Sequence, residues 1–270
     1  MSKEFQFYIV PTPIGNLSDI TLRAIEVLKS VDVIACEDSR VTQKLLNRYE
    51  IKTKLISYHK FNEKERVQMF LDLLTEGKTV ALVSDAGTPL ICDPGSILVE
   101  ELRKNNIKMT SLAGASAIPI FLSQVPREGE DFAFVGFLPK TEGKIKELLQ
   151  KYSHTNLVFY DSPNRLLKTL EYIKIFNPSA RVAVGRELTK IFEEVMVDEV
   201  QNVIEYYKHN VLKGEIVAMV YKKESIEFSQ TDLLEKISNL KMKKFGAKDI
   251  STIIATLYDV NKNDVYKLII

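Results

Sequence analysis

Two loops rich in small residues, one carrying a carboxylate, lie in the first third of the chain. The apolar run Val80-Ala81-Leu82-Val83 has the pattern of a buried strand and leads into Ser84-Asp85-Ala86-Gly87-Thr88-Pro89, then Asp93-Pro94-Gly95. Phe7-Tyr8-Ile9-Val10 leads in the same way into Pro11-Thr12-Pro13-Ile14-Gly15-Asn16. In open α/β sheets ligands sit at the carboxyl ends of strands, where such loops begin. Two of them early in one chain point to a shared pocket. A third loop, Glu37-Asp38-Ser39-Arg40, follows the apolar run Val31–Cys36 and brings charge to the same edge. Taken singly, Gly87 and Gly95 read as turn glycines and Asp85 as a cap for the next turn.

The elements that must position these loops alternate between strand and helix periods, the pattern of an α/β protein. Asp19 is placed to cap a helix whose apolar face is Leu22, Ile25 and Leu28. Further helices are expected near Val41–Arg48, Glu63–Glu76 and Ile97–Asn105, with a strand over Met109–Leu112. Ala113-Gly114-Ala115-Ser116 closes this half. The polar stretch Val125–Asp131 breaks both periods and marks the start of a second unit. There, strands are expected at Phe132–Phe137, Leu157–Tyr160, Arg181–Val184, Glu193–Val197 and Ile216–Tyr221, with helices near Gly143–Tyr152, Arg165–Phe176 and Val200–Lys208. Several of these strands alternate polar with apolar residues, which predicts a mixed sheet.

From Gln230 the chain changes to three short amphipathic helices, Asp232–Leu240, Ala247–Tyr258 and Lys262–Ile269, broken at Gly246 and Asn261. This is compatible with a helix-turn-helix-like unit whose most basic run is Lys241-Met242-Lys243-Lys244. A solvated helical cap or dimer contact fits it as well as an RNA grip does. The expected organisation is an N-terminal α/β domain over 1–120, a second α/β domain over 121–225 and a helical extension over 226–270.

Composition narrows the class. With 45% apolar and 27% charged residues, a chain of 270 can bury ordinary cores. Its net charge of +1 gives no whole-molecule attraction to nucleic acid or anionic lipid, so any such contact must come from local basic clusters. Cys36, Cys92 and three scattered histidines lack metal-ligand spacing, so no metal site is expected. No apolar run approaches membrane-spanning length, and the reading is cytoplasmic with reduced thiols.

The motifs match a family. Thr12-Pro13-Ile14-Gly15-Asn16-Leu17 with Asp19-Ile20-Thr21-Leu22-Arg23-Ala24, Glu37-Asp38-Ser39-Arg40 with Thr42 and Lys44-Leu45-Leu46, and Ser57-Tyr58-His59 resemble the ribosomal RNA small subunit methyltransferase I family. So do Leu82–Pro89, Gly136-Phe137-Leu138-Pro139, Ser162-Pro163 with Arg165-Leu166, and Arg186-Glu187-Leu188-Thr189-Lys190, the whole spanning about residues 5 to 222. The resemblance implies an α/β two-domain tetrapyrrole-methylase fold with S-adenosyl-L-methionine (SAM) as methyl donor. It further implies 2'-O-methylation of a cytidine in the decoding region of 16S rRNA, a homodimer, and the small ribosomal subunit as partner; neither DNA nor a membrane is an expected partner. Departures are Ala113-Gly114-Ala115 where the family has Pro-Gly-Pro, Asp161 for Glu, Asn164 for His, and Ser39 for Thr.

By that resemblance Pro13 and Ile14 line the donor site, Asp85, Gly87 and Thr88 surround the methionine part, and Ser116 and Ala117 lie nearby. Tyr160, Gly214 and Glu215 contribute from the second domain. Methyl transfer to a ribose oxygen needs alignment of oxygen, methyl and sulfur, and a route out for the proton. Asp38 is the expected acceptor, with Glu37 and Lys190 as the other catalytic candidates. Arg40, Lys44, Arg186, Lys243 and Lys244 are the candidates for RNA phosphates. Two other readings stay open: a tetrapyrrole-precursor methyltransferase on the same fold, and a non-catalytic SAM-binding module associated with ribosomes.

Overall fold

The computed structural model describes residues 5–127, 129–223, 230–258 and 261–270. Its first sheet contains β1 (Phe7–Ile9), β2 (Val33–Cys36), β3 (Lys54–Ser57), β4 (Val80–Val83) and β5 (Met109–Ser111), all parallel, in the order β3-β2-β4-β1-β5. Alternate side chains of a strand face opposite ways, so Val33 and Ala35 join one core while Ile34 and Cys36 join another. Helices α1 (Leu22–Ser30) and α2 (Ser39–Arg48) cover one face through Leu28 and Leu46. On the other, α3 (Glu63–Thr75) and α4 (Ser96–Lys104) cover it through Phe70, Leu74, Leu98 and Leu102. Burial on both faces is why β2 and β4 are unbroken apolar runs.

After α5 (Ala117–Leu122) comes the second sheet, made of β6 (Phe132–Phe137), β7 (Asn156–Asp161), β8 (Arg181–Arg186), β9 (Glu194–Glu199) and β10 (Ile216–Val220). Its order is β6-β7-β10-β8-β9, with only the β6/β7 pair parallel, the mixed sheet expected from the alternation. One face is covered by α6 (Glu142–Lys151), α7 (Pro163–Phe176) and α8 (Val200–His209) through Ile145, Leu149, Leu166, Leu170, Val203 and Ile204. The opposite face receives Ile14 from the first half and Ile118 and Phe121 of α5, which pack on Val158, Ala183 and Val217. Gly185 in mid-β8 makes room for this: a Cβ there would lie 2.7 Å from the Phe121 ring.

Residues 1–222 form one compact unit holding both sheets; residues 223–270 form another. In the second, α9 (Gln230–Met242), α10 (Ala247–Tyr258) and α11 (Lys262–Ile269) enclose Ile237, Ile250, Ile254, Val265 and Ile269. Asn261 caps α11, its side chain accepting from the Asn263 amide at 2.8 Å. The sequence division at 120/121 falls inside α5, and that at 225/226 lies outside the described residues.

Local expectations needed correcting in three places. Thr21, not Asp19, caps α1, accepting from the Ala24 amide at 3.1 Å; Asp19 ends a short 3-10 turn. With the helix start moved, Leu22 is 80% exposed and the buried side is Ala24 and Leu28. The strand β3 and the helix α5 were not expected. Lys54–Ser57 is a four-residue edge strand, too short for a periodic signal, and Pro119 disguised α5. Pro119 is in the first turn, where its missing N–H costs no helical bond.

Candidate active site

A cavity of about 340 Å³ opens between the loops at the carboxyl ends of the first sheet and the second sheet. The first half contributes Ile14, the stretch Ala86, Gly87, Thr88, Ile91, Cys92 and Asp93, and Ser116 and Ala117 at the start of α5. The second contributes Phe137, Tyr160, Asp161, Ser162, Pro163, Leu188, Gly214, Glu215, Ile216 and Val217. Eight of the ten residues expected to hold the donor therefore meet in one cavity: Ile14, Gly87, Thr88, Ser116, Ala117, Tyr160, Gly214 and Glu215. Pro13 and Asp85 do not line it. Pro13 is buried, and Asp85 accepts the Asp38 amide at 2.9 Å.

The loops are held in shape by their own backbone. Thr12 and Gly87 exchange N–H···O bonds of 2.9 Å in both directions, and the Thr12 hydroxyl donates to the Ser84 carbonyl at 3.0 Å. The Thr88 hydroxyl donates to the Ala115 carbonyl at 3.0 Å, which fastens the Ala113-Gly114-Ala115 turn without the family's prolines. Gly114 is required by contact, since a Cβ there would lie 2.5 Å from the Pro11 side chain. Across the cavity, Gly214 (φ +89°) turns so tightly against the Glu187 carboxylate that no Cβ fits. Glu187 also accepts the Glu215 amide at 3.0 Å and the Lys190 ammonium at 2.8 Å, and Lys190 reaches Glu215 at 3.1 Å. The Asn16 amide donates to the Thr189 hydroxyl at 3.1 Å, so the first loop is pinned to the β8–β9 connection.

The charged candidates fall into three settings. Asp38 caps α2, and hydrogen bonds from the Arg40 side chain and amide hold its carboxyl at about 2. Glu37, Asp85 and Asp93 form the opposite case. Burial raises all three; Glu37 also feels Asp85 and Asp93, Asp93 feels Asp85 against a hydrogen bond with Ser84, and in Asp85 burial outweighs the hydrogen bond from the Asp38 amide. Burial opposes the charge of Lys190, yet its bonds to Glu187 and Glu215 outweigh that and raise its pKa, so it stays a cation. Burial, then Cys92, Asp93 and Glu215, push the Tyr160 phenol up to about 12.

Of the residues expected to meet RNA, Arg40 and Lys44 are exposed on one helix, the Arg40 side chain at 87%. Arg186 is largely buried, its Nε 3.6 Å from Glu194. Lys243 and Lys244 are exposed on the C-terminal unit. Among the cavity residues the site assignment missed, Asp93, Phe137, Asp161, Ser162, Pro163 and Leu188 stand in or beside the quoted motifs. The signal for them was present. Ile216 and Val217 read as ordinary strand residues and carried none.

The lining suits SAM. Ile14, Ile91, Phe137, Tyr160, Leu188 and Val217 offer apolar walls for an adenine, Gly87 at φ +79° lets backbone approach a ligand, and Asp93 and Glu215 supply carboxylates for its cationic groups. Such a cleft between a parallel and a mixed sheet defines a class, and the family model for Tetrapyrrole (Corrin/Porphyrin) Methylases matches residues 6–204. The fold is that of a diphthine synthase (TM-score 0.64, 13% identity, 80% of this chain and 90% of that one). A cobalt precorrin-4 methyltransferase matches likewise (TM-score 0.61, 17% identity, 80% and 94%). The chain is 41% identical over 263 residues to ribosomal RNA small subunit methyltransferase I of Rickettsia prowazekii strain Madrid E, covering 96% of this chain and 92% of that protein. It is 40% identical over 268 residues to the protein of that name from Escherichia coli O157:H7 (97% and 93%). The chain belongs to the ribosomal RNA small subunit methyltransferase I family. The relative of the same name in Mycoplasmopsis pulmonis, 43% identical, is matched over 99% of its length by 82% of this chain.

Proposed function

We propose that this protein transfers the methyl group of SAM to the ribose 2'-hydroxyl of a cytidine in 16S rRNA of the small ribosomal subunit. The observation that carries the reading is near full-length identity, 41% over 263 residues, to a ribosomal RNA small subunit methyltransferase I. The cavity supports it, with apolar walls and three carboxylates but no side-chain cation lining it. When bound, SAM supplies an electrophilic methyl on a sulfonium.

The residues divide the remaining work. Ile14, Tyr160 and Val217 form the apolar walls; Gly87, Thr88, Ser116, Ala117 and Gly214 present backbone; Glu215, steadied by Lys190, faces the donor's cationic end. Pro13 and Asp85 act from behind, shaping the loops. The ribose hydroxyl must shed its proton when its oxygen takes the methyl, and a carboxylate of this chain would receive it. Glu37 suits that role better than Asp38, because a carboxyl held at about 2 by Arg40 has little affinity for a proton. Asp38 instead orients Arg40 toward RNA phosphate, with Lys44 beside it and Lys243 and Lys244 on the helical extension. The protein acts in the cytoplasm and pairs with a second copy of itself.

Incubation with labelled SAM and small subunits lacking this modification, then nuclease digestion and mass spectrometry, tests the proposal. Labelled 2'-O-methylcytidine is the expected product. No incorporation, or label on a small molecule instead, overturns it.

A further inference from the structure

The segment Ser57-Tyr58-His59 belongs to the motifs that run through the chain, yet it contributes nothing to the cavity lining. Its connection to the cavity runs through Glu63. This residue opens α3 and is only 7% exposed. A single oxygen, Oε1, accepts from the Tyr58 hydroxyl at 2.9 Å, the Gly95 amide at 2.9 Å and the Ile97 amide at 3.3 Å. Gly95 and Ile97 begin α4, so the carboxylate sits where a helix N-terminus presents its free N–H groups. Tyr58 is itself fully buried, edge-on to Phe70 with ring centroids 5.6 Å apart, and burial followed by the bond to Glu63 raises its pKa.

The segment ending at Gly95 supplies six residues of the cavity, Ala86 to Thr88 and Ile91 to Asp93. It is wound against its preferences: Leu90 (φ +71°) and Cys92 (φ +73°) occupy the left-handed region without being glycine, alongside Gly87 and Gly95 (φ +134°). Such residues persist only where the surroundings over-determine them. The near end is fixed by the paired Thr12–Gly87 bonds. At the far end Gly95 is closely packed, since a Cβ there would lie 3.0 Å from Leu82 and 3.1 Å from Leu90, and its amide is one of the donors to Glu63.

We propose that Glu63, oriented by Tyr58, is a positioning residue: it clamps the far end of the 86–95 segment and so holds Ile91, Cys92 and Asp93 in the cavity wall. The inference rests on reading the cavity as the methyl-donor site. It assigns the Ser-Tyr-His motif a task without any contact to donor or RNA.

Three variants test it. Glu63→Ala removes the acceptor, Glu63→Gln keeps an acceptor oxygen, and Tyr58→Phe removes one donor while leaving the buried ring. The expected result for Glu63→Ala is a KM for SAM and a calorimetric Kd for S-adenosylhomocysteine raised on the order of tenfold, the loss of hydrogen bonds to a charged acceptor. The KM for ribosomal subunits stays unchanged, and amide hydrogen exchange quickens over residues 86–97 but not in the second sheet. Glu63→Gln recovers most of the affinity, and Tyr58→Phe loses part of it with the same confined change in exchange. Unchanged affinity and exchange in Glu63→Ala would overturn the proposal, as would equal losses in Glu63→Ala and Glu63→Gln. If Glu63→Ala does not fold, Tyr58→Phe decides: wild-type affinity and exchange refute the clamp. Failure of the wild-type protein to bind S-adenosylhomocysteine removes the donor-site reading, and exchange over 86–97 in the variants still decides the clamp.

Discussion

The amide of Asp38 donates to the carboxylate of Asp85 at 2.9 Å, which ties the residues that follow β2 to those that follow β4. These strands are neighbours in the sheet, so their two acidic loops are held side by side. Asp38 is fully committed there: amide to Asp85, carboxylate to Arg40 and to the first turn of α2.

That commitment separates the two candidates for proton transfer. In Asp38→Asn, asparagine caps a helix as well as aspartate does, so the acidic limb of the profile of kcat against pH stays in place. Glu37→Gln removes that limb and lowers kcat by about 10²- to 10⁴-fold. Since burial and then Asp85 and Asp93 raise Glu37, the wild-type limb lies above the ordinary carboxylate range. Loss of the limb in Asp38→Asn, and not in Glu37→Gln, would reverse the assignment.

A group with its folded-state pKa raised binds its proton more tightly when folded, so its contribution is fully present below the unfolded pKa and is lost as pH rises through the folded one. Burial raises Asp93 in this way. Asp93→Asn is therefore expected to melt at a higher temperature than wild type at neutral pH, with the difference shrinking as the pH falls through the raised folded pKa and gone below the ordinary carboxylate pKa. Melting curves across that range measure it, and a variant equally or less stable at neutral pH contradicts it.

Arg40 is exposed and close to the cavity loops, the setting of a phosphate contact. Arg40→Ala should weaken binding to small subunits, and the slope of log K against log salt should fall by about 0.7 to 0.9, one phosphate's worth. Calorimetric affinity for SAM should not change. A slope equal to wild type would remove Arg40 from the RNA surface.

Gly214→Ala combines a left-handed backbone with a collision against Glu187. Left-handed geometry alone costs an alanine about 1–2 kcal/mol, and displacing Glu187 also frees Lys190 from one of its two carboxylates. Urea unfolding should show at least that loss, and SAM affinity should fall with it. A variant with wild-type stability and affinity would show that the turn is not shaped by this contact.

Much of this architecture was legible in the chain because buried parallel strands write themselves as short apolar runs. Val33–Cys36 and Val80–Val83 are clear in the sequence, and so are the loops after them. Short elements were not: β3 has one flank at the sheet edge, and α5 hides a proline in its first turn. The cavity was half legible. Motif residues such as Gly87, Thr88 and Tyr160 do line it, whereas Ile216 and Val217 do so only because β10 lies between β7 and β8, a pairing no local pattern encodes. Charge partners were invisible too. Nothing in the order Glu37-Asp38-Ser39-Arg40 tells which carboxylate Arg40 takes, yet that choice separates a weak base from a strong one. Ala113-Gly114-Ala115 lacks the family's two prolines, and the group that fastens the turn instead, the Thr88 hydroxyl, comes from a loop distant in sequence.

The cavity wall runs from Ile14 to Val217, so it draws on almost the whole length of the first unit. A molecule seated there touches the loops that follow the first sheet and the strands of the second at once, and is not retained when either half comes apart. Its binding free energy is therefore added to the unfolding of the unit as a whole: at a free concentration one hundred times Kd, mass action contributes about 2.7 kcal/mol. Supply of the small molecule then sets not only how fast the protein works but also how long a folded copy survives.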